Sequence, residues 1–118
     1  MNNGEPHHLG HRERLKARFE RAGISGLQDY EVLELLLFYA LPRRDVKPLA
    51  KALLKRFGSL KGVLDADREA LQGTPGIGRH AAVLFGIVRE VAALSLRQRA
   101  EEREQISSTK ELIDYCLA

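Results

Sequence analysis

A chain of 118 residues, 44% of them hydrophobic and 30% charged, suits one small domain with its own core and leaves no room for a large barrel or a doubly wound enzyme. Its longest apolar run, Leu35 to Leu41, is far below the ~20 residues of a membrane span. The N-terminus has no basic-then-apolar leader pattern, and the lone Cys116 excludes an internal disulfide framework or a multi-cysteine zinc site. A cytoplasmic protein with no membrane contact is the expectation.

In chain order, residues 1–10 carry no apolar periodicity and read as a flexible tail. His8 and His11 would share a helix face and can chelate a metal. No fixed carboxylate or thiol partner can be named for them, so neither metal nor cofactor is expected. Arg12 to Ala22 reads as a first helix, with Leu15 and Phe19 on one face and Gly23 as a stop. After a turn at Gly26, Asp29 is placed to cap a second helix, Tyr30 to Leu41. Val32, Leu33, Leu36, Leu37 and Ala40 form its main stripe, and Leu35, Phe38 and Leu41 extend it, so this is expected to be the most buried element. Pro42 ends it.

Asp45 is the candidate N-cap of a third helix, Val46 to Phe57, with Pro48 tolerated in its first turn. Val46, Leu49, Ala50, Leu53, Leu54 and Phe57 keep core-face spacing. Lys47, Lys51 and Lys55 recur every four residues on another face. Ser59 opens a short fourth helix, and Asp65 or Asp67 caps a fifth that ends near Gln72. A longest helix follows, Arg79 to about Glu102, apolar in its first half and polar in its second. A fresh amphipathic segment starts at Ser107 or Ser108. No stretch alternates as a strand does, so the fold class is all-α: a compact bundle of about five to six short helices with a long C-terminal exit helix.

Charge is localised although the net is only +3. Between positions 43 and 61, Arg43, Arg44, Lys47, Lys51, Lys55, Arg56 and Lys61 face Asp45 alone, a local balance of +6. Such a patch steers an anionic partner, or is simply a solvated helix face.

The most informative local pattern is Leu71-Gln-Gly-Thr-Pro-Gly-Ile-Gly-Arg-His-Ala-Ala82. A helix ends, a tight turn follows, and a helix begins. Gly76 and Gly78 can take positive φ without a Cβ penalty and let another backbone come close, while Ile77 can anchor the turn inward. The unpaired N–H groups of the next helix and its positive dipole end form a phosphate site, with Arg79 and His80 at its mouth. The pattern resembles a helix-hairpin-helix motif: Leu71, then Gly76-Ile77-Gly78, then Ala82. That resemblance implies amides that hold a DNA backbone phosphate without reading bases. The alternative is a hairpin that only packs helices. A weak echo lies 31 residues earlier, with Val46 where Ile77 is and Ala50 where Ala81 is. Its turn has no glycine and offers Arg43, Arg44 and Lys47 instead, or only completes the core.

Longer blocks add to this. His11-Arg-Glu-Arg-Leu-Lys16, Gly26 to Ala40, Pro42-Arg-Arg-Asp-Val-Lys-Pro-Leu-Ala50, Arg56-Phe-Gly-Ser-Leu60 and Pro75-Gly-Ile-Gly78 together resemble the N-terminal region of the RadC family, named for DNA repair. The resemblance spans about His11 to Ala118. It implies a helix-hairpin-helix domain ahead of a JAB/MPN-type domain, whose zinc is held by a His-x-His pair and an Asp, with a Glu as acid/base. None of that set is in this chain. The expected organisation is a tail at 1–10, the hairpin domain at 11–96, an exposed extension at 97–106, and at 107–118 the start of a JAB/MPN-type domain whose remainder is missing.

The leading expectation is a non-sequence-specific DNA-binding module without catalytic residues. Gly76, Ile77, Gly78, Arg79 and His80 would hold a phosphate, with Arg43, Arg44, Lys47, Lys51 and Lys55 as a basic face. No helix displays a patterned set of Arg, Asn and Gln for base readout. The competing expectation is a protein-interaction or regulatory domain that docks on the missing domain or pairs as a homodimer, using Leu112, Ile113, Tyr115 and Leu117.

Overall fold

A computed structural model describes residues 7–117, with side chains described from Leu9 onward. Those residues form six α-helices and one 3-10 turn, and no strand occurs among them. Two compact units divide at Gly86 and Ile87.

In the first unit, α1 (His7–Ala22) begins inside the stretch expected to be a tail. Leu15 is buried, but Phe19, expected on the same core face, is 40% exposed. The 3-10 turn Ile24–Gly26 leads to α2 (Asp29–Ala40). Its cap is Gln28 and not Asp29, because Gln28 and Glu31 satisfy each other's backbone in a capping box. Asp29 instead occupies the first turn, where its charge suits the helix dipole. Val32, Leu33, Leu35, Leu37 and Phe38 are buried on α2, the element with most buried residues, as the sequence pattern implies.

In α3 (Lys47–Phe57), Val46 is the N-cap position rather than Asp45, whose Oδ1 accepts the Lys47 N–H at 3.2 Å one residue inside. Leu49, Ala50 and Leu53 face the core, and Gly58 closes the helix. Ser59 caps α4 (Leu60–Asp65) by accepting the Gly62 N–H at 2.9 Å. Asp67 caps α5 (Arg68–Gln72) by accepting the Ala70 N–H at 2.7 Å, while Asp65 pairs with Lys61. The last helix, α6 (Arg79–Leu117), contributes Ala81, Ala82 and Phe85 to the same core. Leu33, Leu37, Leu53, Val63, Leu71 and Phe85 are each at most 1% exposed. Side chains of this size stabilise by about 1.5–3 kcal/mol apiece when fully buried, so the core rather than local propensity holds these short helices.

The second unit, Ile87–Leu117, is helical throughout. It does not break at Ser107 and Ser108, where a fresh segment is expected. The flanking Glu, Arg, Gln, Lys and Leu are strong helix formers, and a serine pointing into solvent does not compete with the helix backbone. Every described residue from Glu90 onward is exposed. No described helix is long and apolar enough to cross a membrane.

Candidate nucleic-acid interface

The connection between α5 and α6 is a braced turn. Ile77 N–H donates to Thr74 O at 3.0 Å, with Pro75 and Gly76 between them. A proline followed by a residue of positive φ, here +92° at Gly76, inside that hydrogen bond is a type II turn. A Cβ at position 76 would sit 2.4 Å from Leu49 Cδ2, so glycine is required twice, by conformation and by the packing of α3. Ile77 is buried, and its side chain anchors the turn in the core as expected. Its side chain and its N–H are therefore both engaged within the protein, so Ile77, expected among the phosphate-holding residues, shapes the turn and leaves the donors to the residues after it.

Thr74 is buried as well. Its Oγ1 accepts from Arg56 Nη1 at 2.8 Å, and the same nitrogen donates to Ala70 O at 2.7 Å. Arg56 thus ties the end of α3 to α5 and to the first residue of the turn. The sequence marked it only as one more positive charge.

Gly78 differs from Gly76. Contrary to expectation, its φ is not positive and no other backbone comes close, since nothing lies within 4 Å of where its Cβ would be. Packing does not require glycine here; the position opens to solvent. The first rung of α6 is Ala82 N–H to Gly78 O at 3.2 Å. The amides of Arg79, His80 and Ala81 precede that rung and carry the positive end of the helix dipole. Arg79 and His80 are exposed at the same mouth.

The basic residues divide in space. Arg44 Nη1 donates to Gly76 O at 3.2 Å, which joins the α2–α3 turn to the hairpin. Lys47 and Lys51 gather over Tyr30, with Nζ 5.8 and 5.1 Å from the ring centroid. Lys55 is exposed on the same helix. In the α2–α3 turn, Arg43 follows Pro42 and has φ +73°, as Gly76 follows Pro75. Val46, Ala50, Ile77 and Ala81 are all buried.

Three α1 side chains make polar contacts to α2 and to the turn after it that were not legible in the apolar pattern. Arg12 is only 6% exposed. It donates to Phe38 O at 3.0 Å, to Leu41 O at 2.6 Å and to Arg44 O. Burial lowers its pKa, and Asp45 opposes that shift. Arg18 makes two bonds to Glu31, at 2.6 and 3.2 Å, and this pairing holds the Glu31 carboxyl below its ordinary range. His11, expected to lack a fixed partner, lies with Nε2 3.0 Å from Oε2 of the fully buried Glu34. Burial pushes the Glu34 carboxyl up, with His11 opposing. The His8 side chain lies outside the described residues. No group of three or more metal-ligating side chains occurs among the described residues.

No solved structure matches the chain. A family model described as UPF0758 N-terminal matches residues 7–83, which takes in α1 to α5, the hairpin and the first turn of α6. The chain therefore belongs to the UPF0758 N-terminal family, the N-terminal region of RadC-like proteins.

Proposed function

We propose that this is a DNA-binding module of a RadC-like repair protein, with α5, the Thr74–Ile77 turn and the start of α6 serving as a helix-hairpin-helix. The backbone amides from Gly78 to His80 hold a backbone phosphate, and Arg79 and the α3 lysines supply attraction that is blind to sequence. The observation that carries this reading is the contrast between the glycines. Gly76 is filled against by Leu49, whereas Gly78 faces open space beside unpaired amides. Gly78 leaves the amides at the start of α6 without a side chain in front of them. This chain supplies no His-x-His pair, and we assign it no catalytic role. Fluorescence anisotropy with labelled duplex, forked and single-stranded DNA of unrelated sequences tests this. Affinity should be similar across sequences and fall steeply with salt.

A second reading rests on another observation. Ile87, Val91, Leu94, Leu96, Ile106 and Leu117 are each at least 41% exposed on a helix with no described core of its own. Such a surface suits a protein partner or a second copy. A concentration-dependent mass in light scattering, with no DNA shift at low salt, would favour it.

A further inference from the structure

Tyr30 stands in the first turn of α2, half-buried and packed against the core. Two ammonium groups from α3 gather on its ring, Lys47 Nζ at 5.8 Å and Lys51 Nζ at 5.1 Å from the centroid. The two lysines are exposed and four residues apart, a spacing at which like charges on a helix repel. A carboxylate between them would be the ordinary remedy, yet among the described residues none pairs with either ammonium. On α2, Glu31 is taken by Arg18 and Glu34 by His11, while Asp29 lies exposed in the first turn. Asp45 accepts the backbone N–H of Lys47. The negative face of the ring is what holds the two cations together. Two positive charges therefore share one small surface spot that no described carboxylate neutralises by pairing.

We propose, resting on the DNA-binding reading above, that Tyr30, Lys47 and Lys51 form a site for the terminal phosphate of a nucleic acid strand. A phosphomonoester carries about −1.5 to −2 charges at neutral pH and three strong acceptor oxygens, whereas a backbone phosphodiester carries a single charge. The monoester matches the paired ammoniums, because each can donate to a different oxygen while the ring keeps both in place. Tyr30 is a positioning residue that acts through the face of its ring and not through its hydroxyl. The α3 lysines then do more than attract DNA in general: they make the domain prefer strand ends that bear a phosphate.

The test is anisotropy with the full chain and short duplexes that differ only at their ends, which carry a 5′-phosphate, a 3′-phosphate or hydroxyls alone. The parent should bind the phosphate-bearing duplexes roughly fivefold more tightly than the hydroxyl-ended one, the gain from two exposed charge pairs. K51Q should weaken binding to all three and bring that ratio close to one. Y30F keeps the ring and should keep the ratio, whereas Y30L fills the same space without a π face and should lose most of it. Thermal melts establish that each variant is folded, and K51Q decides alone if Y30L is not. A parent that binds DNA equally whatever its ends would show the terminal-phosphate site to be wrong while the hairpin reading stands. A parent that does not bind DNA even at low salt would sink both. A K51Q protein that keeps the preference, or a folded Y30F protein that loses it, would overturn the roles given to the ammoniums and to the ring. Inorganic phosphate, added in competition at constant ionic strength, should erase the preference only in large excess over the duplex. Displacement at the concentration of the duplex itself would mark a site for free phosphate and overturn the strand-end assignment.

Discussion

Replacing Gly78 by aspartate separates stability from binding. The backbone there is not left-handed and no atom lies within 4 Å of the new Cβ, so the side chain enters without strain. At the position before Arg79, an aspartate can accept the N–H of His80 or Ala81. An N-cap aspartate gains a few tenths of a kcal/mol over glycine, and its charge at the helix N-terminus adds about 0.3–1 kcal/mol. The net gain, about 0.5–1 kcal/mol, should raise the melting temperature by roughly 2–8 °C in a domain of this size. The same carboxylate occupies the amides and repels phosphate. Loss of one charge-assisted contact is worth about 1.5–3 kcal/mol, or roughly ten- to a hundredfold in affinity. Thermal melts followed by circular dichroism and anisotropy with a labelled duplex read the two effects. G78S, which caps without charge, should weaken binding less. A G78D protein that melts higher and binds DNA as tightly as the parent would refute the phosphate role of the hairpin.

Gly76→Ala should lose about 2–4 kcal/mol of stability in urea melts, since it combines positive φ with a 2.4 Å approach to Leu49; parent-like stability would show that Leu49 moves aside without cost. Arg12→Met should cost about 2–4 kcal/mol by leaving the carbonyls of Phe38, Leu41 and Arg44 without their donor, measured the same way. The two buried glutamates should respond to pH in opposite senses. Glu34, pushed up by burial, binds its proton more tightly in the folded state, so its stabilising contribution is present in acid and lost as pH rises through the raised pKa. Glu34→Gln should therefore stabilise at pH 7 and less so at pH 4. Glu31, held down first by its hydrogen bond from Arg18, stabilises above the ordinary carboxylate range and loses this as pH falls through the depressed pKa. Glu31→Gln should destabilise at pH 7 and have little effect in acid, and urea melts at the two pH values decide both.

The helical order was readable because each helix carries its own punctuation. Ser59 and Asp67 cap as their residue types demand, Pro42 ends α2, and Leu49, Ala50 and Leu53 keep their spacing. Caps shifted by one position at Asp29 and Asp45, where a neighbour satisfied the backbone better. The full length of α6 was obscured because serines and a polar run look like an end, although an exposed helix of strong formers tolerates both. Glu31 and Glu34 escaped notice because an apolar-stripe reading treats charge as surface, and their partners Arg18 and His11 are distant in sequence. At the hairpin, Gly-Ile-Gly announced a tight turn but not that its two glycines do different things. That difference depends on Leu49, more than twenty residues away in the chain. The left-handed Arg43 had no sequence marker beyond the preceding proline.

The most direct measurement is the affinity of the chain for a short duplex as salt is raised. With the hairpin amides, Arg79 and the α3 lysines as the main contacts, the logarithm of the binding constant should fall linearly against that of the salt concentration, with a slope of about −2 to −3. The slope should be the same for unrelated sequences. A chain that fails to bind at low salt, or binds with no salt dependence, would contradict the assignment of this domain to the DNA backbone.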